Sequence, residues 1–134
     1  MASISETSIP QLVRKSYSGE SIPILGSVRQ LLVFISVYCE HCIDLLPHLN
    51  TIRENHPIQL SLFSTGDDDD HNEMAEYFNW SFPIFHMELQ EMEHYFGIKK
   101  LPAVVIVNEH GVILHKGIVY HASDFDALIS RVTP

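Results

Sequence analysis

The chain has little positive charge and no long hydrophobic run, and these absences disfavour several classes of protein. Its 8 lysine and arginine residues stand against 17 aspartate and glutamate residues, which makes the formal net charge −9. This charge disfavours nucleic acids and anionic membrane surfaces as partners. No apolar run is long enough to span a bilayer, and the first residues lack the basic start and apolar core of a secretion signal. We therefore expect a cytoplasmic protein without a membrane anchor; an extracytoplasmic protein with a trimmed anchor is the alternative.

Cysteine is also scarce, because the chain has only two, Cys39 and Cys42. A structural zinc site usually needs four ligands, often from a second cysteine or histidine pair. The histidines are scattered along the chain and form no such pair. The sequence therefore predicts no metal site at these cysteines, although half of a zinc site is the alternative.

What the chain does have is a C-x-x-C motif at Cys39–Cys42, placed directly after the apolar run 31–35 and at the start of an amphipathic stretch. A strand that leads into a helix starting at this motif is typical of a redox-active dithiol. Unpaired N–H groups and the helix dipole stabilise a thiolate at the helix start. Since the thiolate is the species that exchanges disulfides, Cys39 is the predicted nucleophile. Cys42, one turn later, is the predicted resolving thiol.

Length and composition indicate one α/β domain over residues 1–134, with residues 1–8 as a flexible N-terminus. The chain is 46% hydrophobic and 19% charged, which is ordinary for a globular domain. Alternation and turn residues predict strands at 11–13, 22–24, 31–37, 58–64, 83–86, 103–107 and 112–118. Helical periodicity predicts helices at 40–55 with a kink at Pro47, at 71–79, at 88–95 closed by Gly97, and from a Ser123 cap to Arg131. In the first helix, Ile43, Leu46, Leu49 and Ile52 are expected to share one apolar side.

This order of elements, with Leu101-Pro102 before a hairpin and a last helix, resembles the thioredoxin superfamily. The N-terminal hairpin at Gly19-Glu20, Leu45-Leu46-Pro47 after the second cysteine, and an extra segment at 65–87 resemble the TlpA-type branch more than minimal thioredoxin. The resemblance implies a central mixed sheet flanked by helices, with an N-terminal β-hairpin and a central insertion. The chain also resembles small thioredoxin-like proteins of peptide-antibiotic pathways, such as sporulation killing factor maturation, which implies a role in antibiotic biosynthesis.

The resemblance also implies an activity and a set of site residues. The expected activity is thiol-disulfide exchange by a monomer without a cofactor, on a cysteine-containing protein or peptide, with a separate redox partner for recycling. A cis Leu101–Pro102 bond is expected to place Leu101 beside Cys39, where these two residues would dock the substrate backbone. The alternative for Pro102, an ordinary trans proline that starts an edge strand, is less favoured in this motif context.

Four positions depart from the thioredoxin pattern. Val33 replaces a buried aspartate that accepts the proton of the second thiol, so Cys42 needs another base or water. Tyr38 stands where tryptophan is usual, and Glu40 and His41 lie between the cysteines. Protonated His41 is expected to stabilise the Cys39 thiolate and Glu40 to oppose it, so the two effects offset in part.

Two other functions are weaker alternatives. A peroxiredoxin-type peroxidase would need a proline where Leu32 stands and an arginine near the thiolate, although Ser36 fits its motif. A Sco-type copper chaperone would use a C-x-x-x-C and a distant histidine near His110 or His121, and the spacing here is one residue short.

Two further segments allow a structural and a functional interpretation. The run Asp67–Asp70 could hold a divalent cation with His71 or Glu73, but an acidic solvated loop before a helix is the favoured interpretation. The aromatic segment from Tyr77 to Phe85 is expected to be core and cover. Any part of it exposed near Cys39 would be the natural place for substrate choice.

Overall fold

The structure, a computed structural model, describes residues 7–8, 13–15, 21–23, 29–56, 58–109 and 112–132. The described strands are β1 (Thr7–Ser8), β2 (Val13–Lys15), β3 (Ser21–Pro23), β4 (Gln30–Ile35), β5 (Gln59–Ser64), β6 (Ile84–His86), β7 (Ala103–Val107) and β8 (Val112–Ile118). The described helices are α1 (Glu40–Leu45), α2 (Leu49–Asn55), α3 (Asp68–Phe78), α4 (Leu89–Phe96) and α5 (Ala122–Val132), with a 3₁₀ turn at Leu46–His48. None of these helices is long and apolar enough to cross a membrane.

A mixed sheet, with the strand order β1-β8-β7-β4-β5-β6, forms the centre of the described part of the chain. β4 runs parallel to β5 and antiparallel to β7, so that Val33 faces Leu62 on one side and Val104 on the other. The five apolar residues of β4 are fully buried, which is why its sequence is continuously hydrophobic rather than alternating. This confirms the predicted mixed sheet and central strand.

The two faces of the sheet are covered by different helices. One apolar cluster joins Leu31, Val33 and Ile35 of β4 to residues of α1, α2 and α5, and it includes Cys42. The other cluster joins Leu32 and Phe34 to the core residues of α4. Side chains alternate between the faces of a strand, so β4 supplies both clusters and its end leads directly to the C-x-x-C motif.

The predicted helix at 40–55 is divided into α1, the 3₁₀ turn and α2. Pro47 lies in the 3₁₀ turn, where its missing N–H and its ring prevent a regular α-helical turn. The break at Pro47 is therefore confirmed. The predicted apolar side is partly wrong, because Ile43 is 43% exposed while Cys42 and Leu45 are buried. The buried positions 42, 45, 46, 49 and 52 have the three- and four-residue spacing of one helical face, and Ile43 lies outside that face.

The extra segment 65–87 contains α3 and the edge strand β6, which pairs with β5. α3 begins at Asp68, three residues before the predicted start at 71, so Asp68–Asp70 form its first turn rather than a loop. Asp67 is the N-cap: its carboxylate accepts the N–H of Asp70 at 2.9 Å, and the Asp70 carboxylate accepts the N–H of Asp67 at 3.0 Å. This reciprocal capping box explains why an acidic run starts the helix.

Smaller differences occur near the chain ends. β2 and β3 pair antiparallel as predicted, but at Val13–Lys15 and Ser21–Pro23 instead of 11–13 and 22–24. The turn between them lies outside the described residues, as do His110 and Gly111 of the later hairpin turn and residues 1–6 of the predicted flexible N-terminus. Ser123 is not the cap of α5, because the helix begins at Ala122. Asp124 instead accepts the N–H groups of Tyr120 and His121.

Candidate active site

Cys39 lies at the N-terminus of α1, where β4 has just ended. It is the N-cap residue, with an extended backbone at φ −101° and ψ 118°. Its sulfur accepts the backbone N–H of Cys42 at 3.3 Å, and its own N–H donates to the Ser36 carbonyl at 3.1 Å. The sulfur therefore takes up one of the N–H groups that a helix start leaves without a partner. Both cysteines are free thiols in this structure, with Cys39 partly exposed and Cys42 buried.

The Cys42 thiol is fully buried in the apolar cluster that also contains Val33. The pKa of Cys42 is raised from its ordinary 9.0 to about 12, mainly by burial and also by the hydrogen bond and charge of Cys39. The backbone at Ser36 and at Cys42 itself opposes this rise. Buried Val33 supplies no proton acceptor, so Cys42 is protonated at neutral pH in this state.

Leu101 lies beside Cys39, as the resemblance implied. The Cys39 thiol faces the Leu101 carbonyl with 3.9 Å between sulfur and oxygen, and the Leu101–Pro102 peptide bond is cis. The Pro102 carbonyl accepts the N–H of Val119 at 3.1 Å. This bond ties the loop that holds Leu101 to the residue that follows β8.

A groove of ≈ 410 Å³ opens next to Cys39. Its apolar wall comes from α4 and from the segment before β7, and it also carries one acidic and one basic side chain. The lining residues are Cys39, Leu89, Met92, Glu93, Ile98, Lys99 and Leu101. The groove joins the reactive sulfur to a surface that an apolar polypeptide segment can cover.

The three residues predicted to tune the thiolate are all exposed. Tyr38 is 91% exposed, and Glu40 is the first residue of α1. The His41 ring packs edge-on against Tyr120, with 5.2 Å between ring centroids. The effect of these three residues on the Cys39 thiolate stays a prediction.

The backbone before Cys39 is held by a small polar network that sequence reasoning missed. The Thr65 hydroxyl accepts the N–H of Val37 at 3.2 Å and donates to the Ser36 hydroxyl at 3.2 Å. The Ser36 hydroxyl also accepts the N–H of Tyr38 at 3.2 Å. The signal was available, since β4 and β5 are adjacent parallel strands whose carboxyl ends meet at one edge of the sheet. A threonine directly after β5 therefore lies beside the residues directly after β4.

The acidic run shows no arrangement that would hold a metal ion. Among the residues that the structure describes, no three or more histidine, cysteine, aspartate or glutamate side chains form such a group. The Asp67 carboxylate caps α3, and the N–H of Asp70 is the main cause that lowers its pKa. His71 is fully buried, and this burial lowers its pKa. The run thus caps and starts α3 rather than forming the predicted loop.

The model of a family described as thioredoxin-like matches residues 29–113, which is more than half of the chain. The chain belongs to the thioredoxin-like family. No curated protein sequence matches it at a significant level.

Solved structures show the same fold at low sequence identity. StoA of Bacillus subtilis has a TM-score of 0.72 at 20% identity, with coverage of 90% of this chain and 96% of StoA. A Chlorobium tepidum protein described as the thiol:disulfide interchange protein DsbE has a TM-score of 0.81 at 14% identity, with coverage of 98% and 96%. A secreted Mycobacterium tuberculosis disulfide oxidoreductase homologous to Escherichia coli DsbE has a TM-score of 0.72 at 14% identity, with coverage of 91% and 96%. These neighbours agree with the predicted fold.

Proposed function

We propose that this thioredoxin-like protein is a thiol-disulfide oxidoreductase in which Cys39 attacks and Cys42 resolves. One observation carries the proposal: a partly exposed sulfur at a helix start accepts the N–H of a second, fully buried cysteine at 3.3 Å. Only an accessible thiolate can reach a substrate disulfide. The buried thiol can reach only a partner that is already attached to Cys39.

The proposed reaction is reversible and transfers two electrons. In the reducing direction, the Cys39 thiolate attacks one sulfur of the substrate disulfide, the substrate S–S bond breaks, and its other sulfur leaves as a thiolate that takes up a proton. Cys42 then loses its proton and attacks the Cys39 sulfur. The mixed disulfide breaks, a Cys39–Cys42 disulfide forms, and the substrate leaves as a dithiol. In the oxidising direction the same bonds form and break in reverse order.

The substrate class is a protein or peptide that contains cysteine. The Leu101 carbonyl faces the Cys39 sulfur, and the adjoining groove is largely apolar. These features support the proposed docking of a substrate backbone at Leu101 and Pro102. A peptide-antibiotic precursor as substrate, a separate redox partner and a monomeric state rest on the sequence resemblance alone, and a cytoplasmic location is proposed from the sequence composition alone. Cell fractionation and sedimentation of the purified protein would test the last two.

Two substitutions test the assignment of roles. Cys42→Ser should accumulate a mixed disulfide between Cys39 and the substrate, because the second attack is lost. Cys39→Ser should abolish insulin reduction, because the buried thiol cannot replace the exposed one. Mass spectrometry would identify the trapped adduct. Substantial insulin reduction by the Cys39→Ser variant would show that the roles are assigned wrongly.

The peroxidase alternative has less support from the described residues. The Ser36 hydroxyl takes part in the network with Tyr38 and Thr65. Arg29 lies before β4 and Cys39 lies after it, and the strand between them spans about 20 Å. Arg29 is therefore far from the Cys39 sulfur. Arg53 lies in the last turn of α2. Peroxide consumption by the reduced protein would distinguish this activity, and titration with copper(I) would test the metal-chaperone alternative.

A further inference from the structure

A second groove, of ≈ 430 Å³, lies between the C-x-x-C helix α1 and the inserted helix α3. We call it the α1–α3 groove. Its apolar lining comes from both helices, from the segment before Cys39 and from the 3₁₀ turn: Val37, Ile43, Leu46, Met74, Tyr77 and Phe78. It shares no lining residue with the groove beside Leu101. The two grooves are therefore separate surfaces, and each is lined by residues at or next to the C-x-x-C motif.

Large apolar side chains are left in water at this groove. Ile43 is 43% exposed and Tyr77 is 83% exposed. The Tyr77 ring packs edge-on against Phe78, with 4.8 Å between ring centroids. A contiguous apolar groove at the surface marks a place where another apolar group binds. Tyr77 and Phe78 are also the part of the aromatic segment that the core does not bury.

The charge of the groove indicates what kind of group it takes. Asp70 and Glu73 line it, and no lysine or arginine does so among the described residues. Asp70 also belongs to the capping box of α3, which leaves Glu73 as the carboxylate whose contribution can be tested without loss of a helix cap. A basic side chain next to an apolar one complements this lining.

The groove is lined by residues on both sides of the reactive cysteine in sequence. Val37 lies two residues before Cys39, and Ile43 lies four residues after it on α1. Four residues correspond to a rise of about 6 Å along a helix. An extended polypeptide covers that distance in about two residues. A side chain that enters the groove would therefore lie within a few residues of the substrate cysteine.

We propose that the α1–α3 groove selects substrates, by binding an apolar side chain and an adjacent lysine or arginine close to the substrate cysteine. The inference rests on the proposed thiol-disulfide exchange at Cys39 and names the substrate class of that reaction. The inserted helix α3 is then a specificity element, because it supplies the acidic residues and half of the apolar wall. The groove beside Leu101 would contact another part of the same substrate.

Two disulfide-linked peptides test the proposal. Each carries leucine two residues from the cysteine, followed by lysine in one peptide and by glutamate in the other. The wild-type protein should show a kcat/KM for the lysine peptide about three- to fivefold higher, a ratio typical of one exposed ion pair. Glu73→Lys should reduce this ratio to about one or below, as expected for a reversed charge. Glu76→Lys makes the same net charge change on the same helix but outside the groove, and should keep the ratio.

A third variant tests the apolar part of the groove. Tyr77→Ala should lower kcat/KM for the leucine peptides more than for matched peptides with serine in place of leucine. Equal rates for the two charged peptides in the wild-type protein, or equal effects of Glu73→Lys and Glu76→Lys, would overturn the proposal. A wild-type dimer that Tyr77→Ala dissociates would also overturn it, because the groove would then bind a second copy.

The controls separate this proposal from the proposed function. If the wild-type protein reacts with neither peptide nor any small disulfide, the oxidoreductase function fails. If it reacts with both peptides without preference, only the groove proposal fails. Circular dichroism would check the fold of each variant, and Glu73→Gln, expected to reduce the ratio toward one, replaces Glu73→Lys if the latter does not fold.

Discussion

The high pKa of Cys42 predicts that the second half of the exchange reaction is slow at neutral pH and accelerates steeply as the pH rises. Its pKa of about 12 lies three units above the ordinary 9.0, so the thiolate fraction at pH 7 is about a thousandfold lower than for an ordinary thiol. A thiolate of higher pKa is a better nucleophile, with a Brønsted coefficient of about 0.4–0.5, which restores about twentyfold. At this pKa the attack would be about fiftyfold slower than that of an equally placed ordinary thiol, which is an upper limit for the slowing in the mixed disulfide.

The causes of the raised pKa decide how far this holds in the mixed disulfide. Burial, the largest cause, persists there, whereas the charge of Cys39 is lost once its sulfur is bonded to the substrate. The pKa of Cys42 should therefore stay above its ordinary value but below that of the free dithiol. The rate of the second step should rise about tenfold per pH unit from pH 6 to at least pH 9.

The assay uses a mixed disulfide between Cys39 and 5-thio-2-nitrobenzoate, whose release by Cys42 is followed by absorbance after a pH jump. The Cys42→Ser variant should hold the adduct stably over the same range and serves as the control. Val33→Asp should increase the rate at neutral pH if it folds, because a carboxylate would accept the Cys42 proton. A rate that levels off at or below about pH 9 in the wild-type protein would refute the argument that burial controls this step.

Three further predictions concern other parts of the molecule. Changing His41 to proline should lower the reduction potential, since a cation-capable donor near the thiolate is lost. Equilibration with glutathione measures the potential, and an unchanged value would show that the helix start sets it instead. Gly97→Ala should lower the free energy of unfolding by about 1–2 kcal/mol in urea titrations, because Gly97 has φ 69°. The control Gly117→Ala, where an added Cβ would lie 3.4 Å from its nearest neighbour, should cost less. The pKa values of Asp67 and Asp124 are lowered by backbone N–H groups. Their contribution to stability should therefore be full above their ordinary pKa of 3.8 and should be lost as the pH falls through the lower folded-state values. Thermal unfolding of the alanine variants should show a weaker acid dependence.

Much of the fold could be predicted because its signals are local. The continuous apolar run of β4 indicates a strand buried on both faces. Ala103–Val107 and Val112–Ile118 have the predicted bounds. The position of Cys39 at a helix start follows from a strand, a short loop and an amphipathic stretch in that order. The neighbourhood of Leu101 and Cys39, 62 residues apart in sequence, came from the family resemblance rather than from any local pattern.

The wrongly predicted helix starts share a physical cause. A helix boundary depends on the hydrogen-bond partners of its backbone N–H groups rather than on the periodicity of apolar residues. The start of α3 depends on the reciprocal hydrogen bonds of Asp67 and Asp70, whereas the apolar pattern begins later. At α5 the carboxylate of Asp124 satisfies the N–H groups before the helix, so Ser123 is not needed as a cap. The contribution of Thr65 depends on the pairing of β4 with β5, for which the predicted strand order was the signal and which no helical or strand periodicity shows by itself.

The inserted segment 65–87 has two parts whose sequences can change independently. One is the start of the segment, where Thr65 forms its hydrogen-bond network, and the other is helix α3. Thr65 holds the backbone that leads to Cys39, and a Cβ at Gly66 would lie 3.0 Å from Val37, so both positions are constrained by the reactive centre itself. Residues of α3 beyond its cap contribute a wall of the α1–α3 groove but no hydrogen bond to the strand–helix junction among the described contacts. Sequence change in that helix can therefore alter which polypeptides are recognised while the chemistry at the sulfur stays the same. The fold in this way separates a fixed reaction from a variable choice of substrate.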